Sequence, residues 1–409
     1  MADDASPAPE TPGRSNRVKT LVLCSSIHFL HDGCANALYV LFPLIALDLH
    51  LSFAQVGSLK TAYSWAMSAL QIPASLLAER AGDVLILGGG TALLGLSFIG
   101  TALVATYPFL LVLLAGAGGG SGVQHPLASS MVSKAYEVTR QRTALGTYNF
   151  SGDLGKVVIP AMIGVLAAGA GWRWGLVALG LLGLTTGGLL GFQPWRRPMS
   201  PADGRTPDVA PRRPTGWGIR DRRRFRRLTV IGMLDDSTRT SLLTFLPFVL
   251  LRKGMGPGQI GLVLTLLFAG GAAGKFLCGA LAERAGIVPM IAGTEVLTGL
   301  LILGLLPLSP SAIYLMVPLL GVVLNGTSSV LYGTVAELVT PEGRSRSYAL
   351  YYTAVLGTGA LAPLLYGLLS DLTGLASTFT VIGVMAMAAA LLSLLLREPK
   401  PLSPHGSAP

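Results

Sequence analysis

Charge is scarce in this 409-residue chain. Asp, Glu, Lys and Arg together make up 12% of it, where soluble domains carry about 25%. Hydrophobic residues make up 51%, so the composition excludes an ordinary soluble domain and points to a bilayer. Cysteine is scarcer still. Cys24, Cys34 and Cys278 all stand in apolar segments, which gives neither a disulfide framework nor the paired spacing of a zinc site. No Gly-x-Ser-x-Gly turn and no His-Glu-x-x-His helix occurs. An intramembrane enzyme needs a nucleophile or a metal of that kind, so no enzyme, cofactor or resident metal is expected. The run Gly116-Ala117-Gly118-Gly119-Gly120 lacks the Lys-Ser/Thr ending of a phosphate loop. Small residues there let helices approach closely instead. Residues 1–19 are polar and proline-bearing, unlike the apolar core of a signal peptide, and read as a disordered tail.

Set against these absences is a duplication. Leu77-Ala78-Glu79-Arg80-Ala81-Gly82 returns letter for letter as Leu281-Ala282-Glu283-Arg284-Ala285-Gly286, an offset of 281 − 77 = 204 residues. At that offset Asp32 falls on Asp236, Gly57 on Gly261, Gly122 on Gly326, Arg140 on Arg344, Tyr148 on Tyr352 and Gly155 on Gly359. A fixed offset held without a gap over more than a hundred residues means two copies of one structural unit.

Each copy reads as six membrane helices. A bilayer span needs about 20 apolar residues. Runs of that kind lie near 20–47, 55–78, 85–105, 109–135, 143–169 and 173–193, then 228–250, 259–282, 287–308, 311–338, 345–370 and 375–396. The expected units are therefore a six-helix bundle over 20–193, a basic linker over 194–227, a second bundle over 228–396 and a tail over 397–409. With both termini in the cytoplasm, 23 of the 30 Lys and Arg fall on the cytoplasmic side, eleven of them in the linker. Basic residues stay inside, so this is the expected orientation, in the inner membrane of a bacterium. The net charge of +10 is then a topology signal that can touch anionic lipid head groups. It carries no nucleic-acid recognition motif.

Two parallel six-helix copies joined by a long linker resemble a major facilitator superfamily transporter. The repeated hexapeptide lies in the loops where that superfamily has its signature. Gly279, Glu283, Arg284 and Gly286 match it, while Ser75 stands for the leading Gly in the first half and the trailing basic residues are absent. The resemblance implies an all-α membrane protein of twelve transmembrane helices in two six-helix bundles, working by alternating access around a midplane site. A narrower likeness lies in His28-Phe29-Leu30-His31-Asp32, Gly122-Val123-Gln124-His125-Pro126 and Asn149-Phe150-Ser151-Gly152-Asp153-Leu154-Gly155. These resemble the fosmidomycin-resistance branch, with His31 in place of an Asn and Gln124 in place of a Phe. That branch implies proton-coupled efflux of a small anionic compound. Proton-coupled uptake of an organic anion such as a carboxylate would use the same parts. The expected partners are protons, a small anionic solute and the lipid bilayer, and the expected state is a monomer.

A charged side chain inside a bilayer must face a cavity or a partner. The first helix spaces Cys24, His28, Asp32 and Asn36 four apart, in one stripe. The seventh repeats this with Gly232, Asp236, Thr240 and Thr244. The repeat sets Asp32 and Asp236 across the pseudo-two-fold axis. Asp32, helped by His31 or His28, is the expected carrier of a coupling proton, with Asp236 its counterpart; a helix-packing pair is the alternative. His28, His31 and Asp32 also have one-face spacing for a metal, but no second cluster completes a shell. Asp153 and Lys156 are three apart, Asp235 and Arg239 four apart, and both can pair within a helix. Lys275 has no acidic residue within helical reach, and Glu295 is its remote candidate partner. Cations of this kind suit an anionic substrate, Arg as a fork and Lys as a point charge. Arg239, Lys156 and Lys275 are the expected binding residues, each weighed against a structural ion pair. His125 either lines the cavity or bonds the carbonyl freed by Pro126, and Asn36 and Tyr148 complete the expected set.

The loops with Glu79-Arg80 and Glu283-Arg284 are expected to gate. Their carboxylates can accept from helix N-terminal amides, or pair with Arg140 or Arg142 in one half and Arg344 or Arg346 in the other. Such contacts would exist only with the cytoplasmic side closed, and so would bias the equilibrium between states.

Overall fold

The computed structural model describes residues 14–192, 217–340 and 343–396. Most of the expected linker and the 397–409 tail lie outside the described residues. The first half holds α1 (Arg14–Asp48), α2 (Phe53–Ala81), α3 (Asp83–Leu103), α4 (Tyr107–Gly122), α5 (Gln124–Ala135), α6 (Val138–Ala170) and α7 (Trp172–Phe192). The second holds α8 (Arg222–Arg252), α9 (Pro257–Ala285), α10 (Ile287–Leu305), α11 (Pro310–Glu337), α12 (Arg344–Thr373) and α13 (Leu375–Ser393). Among the described residues the only strand-like pairing is an isolated bridge between Ile219 and Val339. The protein is an all-α membrane protein.

Two boundaries differ from the sequence reading. The α1 helix begins at Arg14, inside the stretch read as a tail. Polar side chains carry it past the apolar run: Arg17 pairs with Glu137 at 2.9 Å, and the Thr20 hydroxyl donates to the Asn16 carbonyl. The fourth span is two helices, α4 and α5, interrupted at Val123. Pro126 has no N–H and its ring crowds the carbonyl four residues back, that of Gly122. Among the described residues nine helices are long and apolar enough to cross a bilayer. The other three passages are α2, the interrupted α4–α5 and α8, which carries Asp235, Asp236 and Arg239.

Local chemistry sets the helix ends. Ser52 caps α2 in a reciprocal box with Gln55. Asp221 caps α8, and the amides of Arg224 and Arg223 that bond it hold its carboxyl below the usual range. Gly82 and Gly286, which close the repeated hexapeptide, have φ of +96° and +91° and return their N–H to the Ala78 and Ala282 carbonyls. Only glycine takes that backbone without strain, which is why the hexapeptide ends on it in both copies.

The hydrophobic cores reveal how the halves meet. One core draws on both, from Leu38, Tyr63 and Ile163 to Phe245, Leu264 and Phe379. Two others stay apart. One holds Cys24, Leu87 and Met131 of the first half; the other holds Phe225, Ile291 and Tyr351 of the second. The bundles are therefore fused at the end away from the described chain termini and separate at the end that carries them. At the fused end α2 packs on α12 and α6 on α9. A side chain at Gly57 would overlap the Pro363 carbonyl. Phe53 packs edge-on against Phe245 and Phe248. The Asp371 carboxylate of α12 accepts the Phe53 and Ala54 amides of α2, each at 2.9 Å. This is a helix cap supplied by the opposite bundle.

Replacing Asp371 with Ala should loosen this closure about fivefold, the equivalent of one lost cap at ~1 kcal/mol. Spin labels at Ser52 and Thr373, in a background without the native cysteines, should then show a second, longer distance. An unchanged single distance would contradict the role of this cap.

Candidate functional site

Against the shared core, which supplies Tyr39, Leu243 and Phe268 to its wall, lies a cavity of about 310 Å³ lined by both bundles. Four cations reach its wall, Lys60 of α2, Lys156 of α6, Arg239 of α8 and Lys275 of α9, with the carboxylates Asp153 and Asp236. Asn36, Tyr39, His125 and Asn325 add polar atoms, while Met67, Leu243 and Phe268 add apolar surface.

The ionic groups form a chain across the cavity. On α1, the Asp32 carboxylate lies 3.0 Å from Lys156 Nζ, 3.4 Å from His28 Nε2 and 3.7 Å from His125 Nε2. Lys156 also meets Asp153 at 3.1 Å. Asp153 in turn receives Lys275 Nζ on both carboxylate oxygens at 2.7 Å. That contact joins the first bundle to the second. In α8, Asp236 pairs with Arg239 one turn on. Glycine makes room for both clusters: a Cβ on Gly152 would meet the His28 ring, and one on Gly359 the Asp236 carboxylate.

The protonation of His28 is constrained by its neighbours. Its Nδ1 lies 2.9 Å from the Tyr148 carbonyl. A carbonyl only accepts, so Nδ1 carries the hydrogen. Nε2 then faces the Asp32 carboxylate. The ligand atoms of His28, Asp32 and His125 lie within 4.8 Å of one another, so His125, rather than His31, completes the metal-like spacing seen in the sequence. The Lys156 ammonium already neutralises that carboxylate and would repel a metal cation.

Both halves of the chain match one family. The Major Facilitator Superfamily profile matches residues 24–234 and 228–409. The chain belongs to the Major Facilitator Superfamily. It is a multi-pass membrane transporter, not an enzyme. A 3-(3-hydroxy-phenyl)propionate transporter of Escherichia coli (strain K12) is 26% identical over 401 residues, 93% of each chain. A probable sulfoacetate transporter, SauU of Cupriavidus necator, is 27% identical over 261 residues, and this chain spans 59% of its length. A bacterial homologue of the human lysosomal transporter Spinster, crystallised in an inward-facing and occupied conformation, superposes with a TM-score of 0.78. It is 17% identical, covering 94% of this chain and 97% of that one, and shares the fold.

Within this facilitator several expected residues find other partners. His31 is 1% exposed and turned into the first bundle, with Nε2 2.9 Å from the Thr91 hydroxyl and Nδ1 3.3 Å from that of Ser121. One helical step from Asp32 is a rotation of about 100°, enough to aim it at α3 and α4 instead of the cavity. Lys275 pairs with Asp153, not Glu295. Glu295 lies on Asp235, whose Oδ2 accepts the Ser328 hydroxyl at 2.8 Å. Arg239 is paired with Asp236 rather than Asp235. Asp32 and Asp236 each have a cation of their own. Tyr148 is buried behind the cavity, where its ring stacks on His28 and its hydroxyl accepts from Gln124. Asn36 lines the cavity, with its amide donating to the Asp32 carbonyl at 2.7 Å. Glu79, Arg80, Glu283, Arg284, Arg140 and Arg344 are all exposed at helix ends on the open side. Among the described residues no ion pair joins these six to one another.

Sequence reasoning missed Lys60, Tyr39 and Asn325 in the wall, and the bridging role of Asp153. The signal for Lys60 was present, a lone charge in an apolar span with no acidic residue one turn away. Its surroundings were not, because Tyr39 comes from another helix.

Lys156→Gln should leave Asp32 with only His28 and His125 and lower stability by ~2 kcal/mol, less than the 3–5 of a fully buried pair because Lys156 is part-exposed. The double variant Asp32→Asn with Lys156→Gln should regain most of the loss. Melting curves of the purified variants check this; a double variant no better than the single would argue against the pairing.

Proposed function

We propose that this facilitator is a secondary active transporter of a small organic anion, coupled to protons and working by alternating access. The observation that carries this reading is the cation-rich cavity between bundles that are fused at one end and parted at the other. A solute bound there meets ammonium and guanidinium groups of both bundles, so its charge favours bringing the bundles together around it. The relatives named for hydroxyphenylpropionate and sulfoacetate, both small organic acids, support the substrate class.

Asp32 is the proposed proton site, with His28 as its partner and Asp236 as the equivalent position opposite. Protonating Asp32 would release Lys156 to other anions, which links the proton to the solute through one shared cation. With the described chain ends in the cytoplasm of a bacterial inner membrane, the cavity faces inward. Efflux of an anionic drug-like compound, as in the fosmidomycin-resistance branch, is the leading direction. Proton-coupled uptake of an organic anion such as a carboxylate is the second reading, and the acids in the names of the relatives fit its substrate class.

Proteoliposomes under an imposed pH gradient test the proposal, with 3-(3-hydroxyphenyl)propionate and sulfoacetate as probes. Gradient-driven flux above protein-free liposomes is expected, and its direction relative to the proton separates efflux from uptake. Asp32→Asn should abolish the gradient-driven component while leaving anion exchange in place. Absence of all flux by correctly inserted protein would reject the reading. Expression in a fosmidomycin-sensitive bacterium adds a direct test of export, since resistance requires it.

The gating pairs are proposed to form when the open side closes. Glu79→Gln should therefore favour the present state and raise the labelling rate of a cysteine placed at Ser68 in the cavity wall. An unchanged rate would remove Glu79 from the gate.

A further inference from the structure

The anionic-solute reading leaves open which group receives the charge and how many charges the site accepts. Three of the four cavity cations are already engaged. Lys156 meets Asp32 and Asp153, Lys275 meets Asp153, and Arg239 meets Asp236. Lys60 is different. It is 6% exposed, lines the cavity and forms no ion pair or hydrogen bond among the described residues. Its Nζ lies 4.7 Å from the centre of the Tyr39 ring and 5.3 Å from that of Tyr63. Ring faces attract a cation, but they do not satisfy three N–H donors. A buried charge without a carboxylate or a full set of acceptors is otherwise avoided.

We propose that Lys60 is the anchor for the charged group of the transported solute, and that the solute carries a single negative charge, as a carboxylate or a sulfonate does. This rests on the organic-anion reading above. The charge balance supports the number. With Asp32, Asp153 and Asp236 ionised and His28 and His125 neutral, the four cavity cations face three carboxylates, so one negative charge completes the set. A second charge on the solute would have to displace Asp153 or Asp236 from its cation, or remain unpaired. Either outcome penalises a dianion relative to a monoanion. The Tyr39 ring beside Lys60, with Asn36 and Asn325 further along the wall, fits a body that is part apolar and part hydroxylated.

Binding to the full-length protein in detergent tests this with three probes: 3-(3-hydroxyphenyl)propionate with one charge, its neutral amide, and sulfoacetate with two. The wild type should bind the singly charged acid about tenfold or more tighter than either of the others. Lys60→Gln should weaken the acid about 10- to 100-fold, the loss of one charge-assisted hydrogen bond, and leave the amide unchanged. Lys60→Arg should restore most of the acid binding. Acid binding that survives Lys60→Gln unchanged overturns the anchor while leaving the organic-anion reading intact. If the wild type binds neither acid, that reading fails and the anchor with it. Should Lys60→Gln not fold, the wild-type comparison still decides, because sulfoacetate binding as tight as the monoanion overturns the single-charge assignment.

Discussion

The cost of holding charge inside a bilayer governs this molecule. A side chain such as Lys156 or Asp236 is tolerable in a membrane helix only beside a partner or a wet cavity. The structure satisfies that condition with a chain of alternating charges running from Asp32 through Lys156 and Asp153 to Lys275. The chain crosses from one bundle to the other. It is therefore at once a solution to desolvation and a contact between the two bundles. Any group that competes for one of its members, a proton on Asp32 or an anion near Lys275, acts on the interface directly.

Packing supplies the second condition. Close contact at the fused end depends on small residues, with Gly57 of α2 against the Pro363 carbonyl and Gly164 of α6 against that of Pro257. Both contacts pair a helix of one bundle with a helix of the other. Without a hydrophobic driving force between helices in lipid, such backbone approach is a main source of association. The Asp371 cap on α2 adds a polar contact at the same end. The parted end has two separate cores and exposed basic loops. The asymmetry between the ends is what one state of the proposed alternating pair requires.

The internal repeat and the chemistry part company at the site. Asp32 and Asp236 are equivalent by sequence, yet one sits among two histidines and a lysine and the other beside a single arginine. The fold is duplicated, while the charges laid on it are not. The same holds for Asp153, whose equivalent is Gly357. In the proposed cycle, an asymmetric arrangement of this kind would let one bundle hold a proton while both hold a solute.

The twelve passages, their duplication and the superfamily were legible in the sequence, because span length, a fixed offset of 204 residues and the repeated hexapeptide are properties of one dimension. So were the positions of the buried charges, since polarity in an apolar run announces itself. The stripe of His28, Asp32 and Asn36 followed from helical spacing, and all three lie together. What spacing within one helix could not supply was pairing between helices. Lys275 with Asp153, His125 with Asp32, and Glu295 with Asp235 each join residues far apart in the chain, on helices whose rotation and depth are set by packing. The rotation of His31 away from the cavity and the isolation of Lys60 among aromatic rings are of the same kind. The sequence by itself determined which charges the membrane would have to accommodate; only the tertiary structure decided which of them neutralise one another, because a charge finds its partner by distance in space and not by distance along the chain.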